Sequence, residues 1–190
     1  WAAVEKVLSH PELELRGFHS HIGSQIFGTD SFQLAADRLI SLLAKYRDVY
    51  GKELPELDLG GGYGIAYLPG DETLEPGEVM PALRKAVTAS CEKHKLNIPI
   101  ISIEPGRAIV GPTTFTLYEV GTTKDVVLED GKTRRYISVD GGMSDNIRPS
   151  LYDAEYHAVI AHRTSSASAV NSRVVGKHCE TGDIVIREIN

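Results

Sequence analysis

Leu54-Pro55-Glu56-Leu57-Asp58-Leu59-Gly60-Gly61-Gly62-Tyr63-Gly64 is a short apolar run that stops abruptly in glycine. A run of this length, closed by glycines, reads as a strand over Leu54 to Leu59 that ends in a loop. On its N-terminal side, Asp30 to Tyr50 places Phe32, Leu34, Ala35, Leu39, Leu42, Leu43 and Tyr46 at spacings near three and four, the mark of an amphipathic helix. A further apolar run, Leu13 to His19, precedes that helix. On the C-terminal side, Gly77 to Lys95 has helical spacing, with Val79, Leu83, Val87 and Cys91 on one face, and Ile98 to Ile103 reads as a third strand. Strands alternating with helices indicate β/α units and a parallel sheet.

After Pro112 the pattern changes. The runs Thr113 to Val120, Lys124 to Leu128, Arg135 to Val139, Tyr156 to Ala161 and Val174 to Lys177 are rich in β-branched and aromatic residues and read as strands. Thr164 to Ser172 reads as a surface loop. The expected boundary lies near Gly111, dividing the chain into residues 1–111 and 112–190. The chain opens at Trp1 and closes inside a strand-like pattern, as an internal segment of a longer protein would. If the first part belongs to an eight-unit barrel, about five more units are expected before Trp1.

The 190 residues are 42% hydrophobic and 24% charged, with a net charge of −6. Such a composition suits a globular core and argues against nucleic acid or an anionic membrane as the main partner. No apolar stretch approaches the roughly 18 residues that span a bilayer. Two cysteines in unlike surroundings do not form a disulfide framework, so a reducing, cytoplasmic setting is expected.

Three loops carry candidate chemistry. His19-Ser20-His21-Ile22-Gly23-Ser24 follows the first strand, and alternation places His19 and His21 on one face. The pair suits structural histidines or a metal, but no third ligand stands at recognisable spacing, so no metal is expected. Gly23 and Ser24 also suit a phosphate, and a flat imidazole suits stacking on an aromatic ring. Gly60-Gly61-Gly62 lets backbone donors approach an anion, although three glycines alone also make an ordinary tight turn. It fits neither the dinucleotide nor the P-loop spacing. Glu104-Pro105-Gly106-Arg107 closes the third strand with a carboxylate, a turn and a guanidinium. This arrangement suits a pyridine nitrogen and a phosphate or carboxylate, or a plain surface ion pair.

In order and spacing, these motifs resemble the pyridoxal-phosphate-dependent decarboxylases of the alanine-racemase fold type. Gly17 to Gln25, Asp140-Gly141-Gly142-Met143-Ser144-Asp145-Asn146-Ile147-Arg148-Pro149 with Leu151-Tyr152, and Gly176-Lys177-His178-Cys179-Glu180-Thr181-Gly182-Asp183 make the chain most similar to the diaminopimelate decarboxylase family. The resemblance implies an α/β plus β fold, with part of a (β/α)8 TIM barrel followed by the start of a C-terminal β-sandwich or β-barrel domain. It implies pyridoxal 5'-phosphate as cofactor, with His21 stacked on the ring, Glu104 at the pyridine nitrogen, and Ser24, Gly62, Pro105, Gly106 and Arg107 around the phosphate and ring.

The resemblance also implies meso-diaminopimelate as substrate, held at its distal end by Arg107, Arg148, Tyr152 and Glu180, with L-lysine and carbon dioxide as products. Arginine, ornithine or carboxynorspermidine as substrate, or a catalytically silent homologue, are the alternatives. Cys179 would be the acid that returns a proton to Cα, since a thiol is mostly protonated at neutral pH. Cys91, on an apolar helix face, reads as a small buried hydrophobe, and Lys177, two positions before Cys179 and so expected on the same strand face, as structural. The family's Schiff-base lysine and late tyrosine are expected outside this segment, which by itself would be inactive. A homodimer with shared active sites is implied.

Overall fold

A computed structural model describes all residues, Trp1 to Asn190. Its contacts divide the chain into two compact units, Trp1–Ile65 with Glu72–Thr113, and Ala66–Asp71 with Thr114–Asn190. No helix is long and apolar enough to cross a membrane.

The first unit runs α1 (Ala2–Leu8), β1 (Gly17–His19), α2 (Asp30–Tyr50), β2 (Glu56–Asp58), α3 (Pro76–His94), β3 (Ile100–Ser102) and α4 (Gly106–Val110), with a 3₁₀ turn over Gly111–Thr113. The three strands form one parallel sheet in the order β1-β2-β3, in a register that aligns His19, Asp58 and Ser102. The helix over Asp30–Tyr50 stands where its periodicity predicts, and the second begins one residue early, at Pro76. Phe32, Ile40, Leu43 and Tyr46 of α2 and Val79, Leu83, Val87 and Cys91 of α3 make one core with Leu57 and Leu59. Cys91 is 1% exposed, the small hydrophobe its helix face suggested. Burial and the nearby Glu53 charge push its thiol pKa up.

Polar links fix the two helices to each other. Arg47 donates to the carbonyls of His94 and Lys95 at 2.8 Å, meeting acceptors that the C-terminus of α3 leaves without helical partners. The buried Ser90 hydroxyl donates to Asp37 Oδ1 at 2.7 Å.

The second unit has β4 (Val120–Val127), β5 (Thr133–Val139), α5 (Arg148–Tyr152), β6 (Ser172–Val175) and β7 (Ile184–Ile189). Its sheet has the order β4-β5-β6-β7, antiparallel except for the parallel β5–β6 pair. Val139, Val174 and Ile186 form a small core with Tyr118 and Tyr156 packed against it.

Two expected strands are absent. Residues 114–119 are irregular, and Tyr156 to Ala161 carries no ladder, with Val159 78% exposed. Both segments have strand-like composition, but a strand exists only where a neighbour completes its hydrogen bonds. The expected strand from Val174 to Lys177 instead covers Ser172 to Val175, leaving Lys177 to Cys179 in a bend. Lys177 and Cys179 therefore share no strand face. Together the two sheets give the α/β plus β class, a section of barrel-like β/α units followed by a separate β unit.

Candidate functional site

In the first unit, the loops after β1, β2 and β3 meet at the C-terminal ends of the strands, where parallel sheets present ligand-binding groups. The glycine run lies between the other two loops. A Cβ at Gly60 would stand 2.4 Å from the Ser20 carbonyl oxygen, one at Gly61 2.3 Å from that of Glu104, and one at Gly62 2.1 Å from that of Gly23. Gly60 and Gly62 also have φ of 68° and 98°, which side chains disfavour. The Glu104 amide donates to the Gly60 carbonyl at 2.8 Å, closing the contact.

Around this run the functional side chains gather. His19 Nε2 lies 3.0 Å from Glu104 Oε2. Asp58 Oδ1 accepts the Gly60 N–H at 2.8 Å, and His21 Nδ1 accepts that of Gly61 at 3.4 Å. His21 follows the end of β1 in a loop, so the alternation expected to pair it with His19 stops before it. His19, Asp58 and Glu104 bring ligand-capable atoms within 4.8 Å of one another, a set with metal-binding chemistry that no sequence spacing displayed. Each already has a protein partner: His19 and Glu104 hold each other, and Asp58 holds the glycine turn.

Ser24 is exposed, and neither its hydroxyl nor the Gly62 amide bonds within the chain. Arg107, on α4, donates to Gln25 Oε1 at 3.3 Å. Gln25 has φ of 56° and is itself fixed by Ile65, whose amide donates to Oε1 at 3.1 Å and whose carbonyl accepts from Nε2 at 2.9 Å. No local sequence signal marks this role for Gln25, because its partner Arg107 lies 82 positions away. A cavity of about 250 Å³ on the sheet is lined in part by His19 and Asp58 but not by Ser24, Gly62 or Arg107.

In the second unit, Arg148 Nε donates to the Tyr156 hydroxyl at 3.1 Å, and its guanidinium lies 5.4 Å from the centre of the Tyr152 ring. Cys179 and Glu180 are exposed, and Cys179 is a free thiol. Their loop is tied back to the Asp140 to Asn146 loop, with the Lys177 amide donating to the Gly141 carbonyl at 2.9 Å.

Residues 1–111 match the family model described as the pyridoxal-dependent decarboxylase, pyridoxal binding domain. The chain belongs to the pyridoxal-dependent decarboxylases. Within that family it is 52% identical over 186 residues to a diaminopimelate decarboxylase of Corynebacterium efficiens, covering 98% of this chain and 40% of that one. It is 44% identical over 188 residues to a diaminopimelate decarboxylase of Bacillus subtilis, covering 99% of this chain and 42% of the relative. This decarboxylase segment thus spans less than half the length of these curated relatives. Among solved structures, diaminopimelate decarboxylase of M. jannaschii in complex with L-lysine superposes with a TM-score of 0.85 at 25% identity, over 99% of this chain and 41% of that one. A Vibrio vulnificus lysine/ornithine decarboxylase, at 18% identity and TM-score 0.78, shares the fold, over 99% of this chain and 48% of that one.

Proposed function

We propose that the protein, with residues 1–111 as a cofactor-binding part and 112–190 as the start of a β domain, is a pyridoxal-phosphate-dependent carboxy-lyase. It converts meso-2,6-diaminopimelate to L-lysine and carbon dioxide, the last step of lysine biosynthesis. The observation that carries the cofactor assignment is the glycine run wedged between two loops, with the free Gly62 amide beside the Ser24 hydroxyl loop and the Gln25-held Arg107. An unpaired amide, a hydroxyl and a guanidinium are the donor set a phosphate monoester requires. Glu104, steadied by His19, is the acceptor for a protonated pyridine nitrogen, and the His21 imidazole the face for the ring, with Pro105 and Gly106 shaping the turn between.

Bound pyridoxal phosphate supplies the sink for the electron pair that remains when carbon dioxide leaves. The chain's own residues bind, orient and protonate. Arg107, Arg148 and Tyr152 take the distal carboxylate of the substrate, and Glu180 takes its distal ammonium. Cys179 delivers the proton to Cα. The substrate assignment draws its support from the likeness to relatives named diaminopimelate decarboxylase. A homodimer with shared active sites and a cytoplasmic location belong to the same proposal, and two free cysteines accord with it.

Lysine release from meso-diaminopimelate by the full-length protein is the expected result. Turnover of ornithine or arginine with none of diaminopimelate would reject the substrate.

A further inference from the structure

The second unit's proposed functional residues stand on two loops. Lys177 to Gly182 carries Cys179 and Glu180, while Gly141 to Asn146 leads directly into Arg148 and Tyr152. Between the loops lies Asp183, 3% exposed and without an ion-pair partner. A buried carboxylate is costly unless hydrogen-bonded. Here Oδ1 accepts the Met143 N–H at 2.6 Å from one loop, and Oδ2 accepts the His178 N–H at 2.7 Å from the other. Hydrogen bonds to a charged acceptor are the strong kind.

A glycine beside each loop makes the room. A Cβ at Gly142 would stand 2.5 Å from Oδ1, and one at Gly176 2.2 Å from Oδ2. The loops also meet where Ser144 Oγ and His178 Nε2 lie 2.8 Å apart.

We propose that Asp183 is a positioning residue whose carboxylate ties the Met143 amide to the His178 amide, holding the Cys179–Glu180 loop and the Arg148 loop in a single arrangement. The inference rests on the substrate and proton-donor roles proposed above. It adds the residue that sets those roles in register. Asp183→Asn is nearly isosteric, but its amide nitrogen must face one of the two backbone N–H groups. One loop is therefore released while the packing remains.

The test uses the full-length holoenzyme. In the wild type, the Met143 and His178 amides should both be protected from hydrogen exchange; rapid exchange of either overturns the proposal. In Asp183→Asn, one of these amides should become fast-exchanging and KM for diaminopimelate should rise about tenfold, with the cofactor absorbance retained. An amide released without any change in KM reduces Asp183 to a stabilising residue and rejects the positioning role. If the wild type does not turn over diaminopimelate, the proposed function fails, while the exchange experiment still decides the tie. Should Asp183→Asn fold too poorly to assay, Ser144→Ala, which removes only the outer contact, must raise KM about twofold to fivefold. No rise overturns the proposal.

Discussion

At the scale of single residues, the two units contribute different kinds of group. Gln25 is half-buried and accepts from both the Ile65 amide and Arg107, so its carboxamide sets where the guanidinium can reach. Gln25→Ala should weaken pyridoxal phosphate binding by about tenfold, since a hydrogen bond to a charged group contributes about 1.5–3 kcal/mol. Titration of the cofactor's absorbance measures it, and an unchanged affinity would detach Gln25 from the site. Cys179 stands exposed on a bend rather than a strand face. If it is the proton donor, Cys179→Ala should lower kcat by about 10²- to 10⁴-fold while cofactor binding is kept. Steady-state rates with spectroscopic occupancy check both halves of that statement. Asp183 shows what single positions hide. In the sequence it is an ordinary acid at the end of a motif, and its partner Met143 lies 40 positions away.

At the scale of elements, legibility followed length and periodicity. The 21 residues of α2 have enough turns for an apolar stripe to declare itself, and the helix has the expected bounds. The helices α1, α4 and α5, of 7, 5 and 5 residues, are too short to show a period, and none was anticipated. Strand-like composition misled at residues 114–119 and 156–161, where no neighbouring backbone completes a ladder. The α2–α3 pair yields a pH prediction. The Ser90 hydrogen bond holds the Asp37 carboxyl below its ordinary pKa against the opposing effect of burial, with Lys93 adding a lesser pull in the same direction as Ser90. A depressed carboxylate pKa stabilises the fold fully above the unfolded value, and that contribution disappears as pH falls through the lower folded value. Ser90→Ala should therefore cost about 1 kcal/mol near neutral pH and less in acid. Urea unfolding at both pH values compares them; a difference that grows on acidification contradicts the assignment.

At the scale of the whole molecule, the proposed homodimer with shared active sites is tested by complementation. Glu104→Ala and Cys179→Ala proteins, each poorly active alone, should regain activity when co-expressed as mixed dimers, because one of the two sites then carries both intact residues. Activity no higher than the sum of the separate variants would place all the machinery within one subunit. The class of fold and the three barrel-rim loops were legible because their motifs are local runs. The excursion of Ala66–Asp71 was not, because it depends on which distant segments touch. Ala66–Asp71 interrupts the first unit and belongs with the second, where the Tyr67 and Tyr156 rings meet edge to face, 5.3 Å between centres. The polypeptide consequently passes between the units three times, after Ile65, after Asp71 and after Thr113. No single scission can yield two intact modules. A piece ending at Thr113 retains a six-residue excursion whose aromatic anchor has been removed, and the complementary piece loses a strip of its own surface. Dissection, circular permutation or fusion of either half must therefore carry Ala66–Asp71 along with the β unit or replace it with a short bridge.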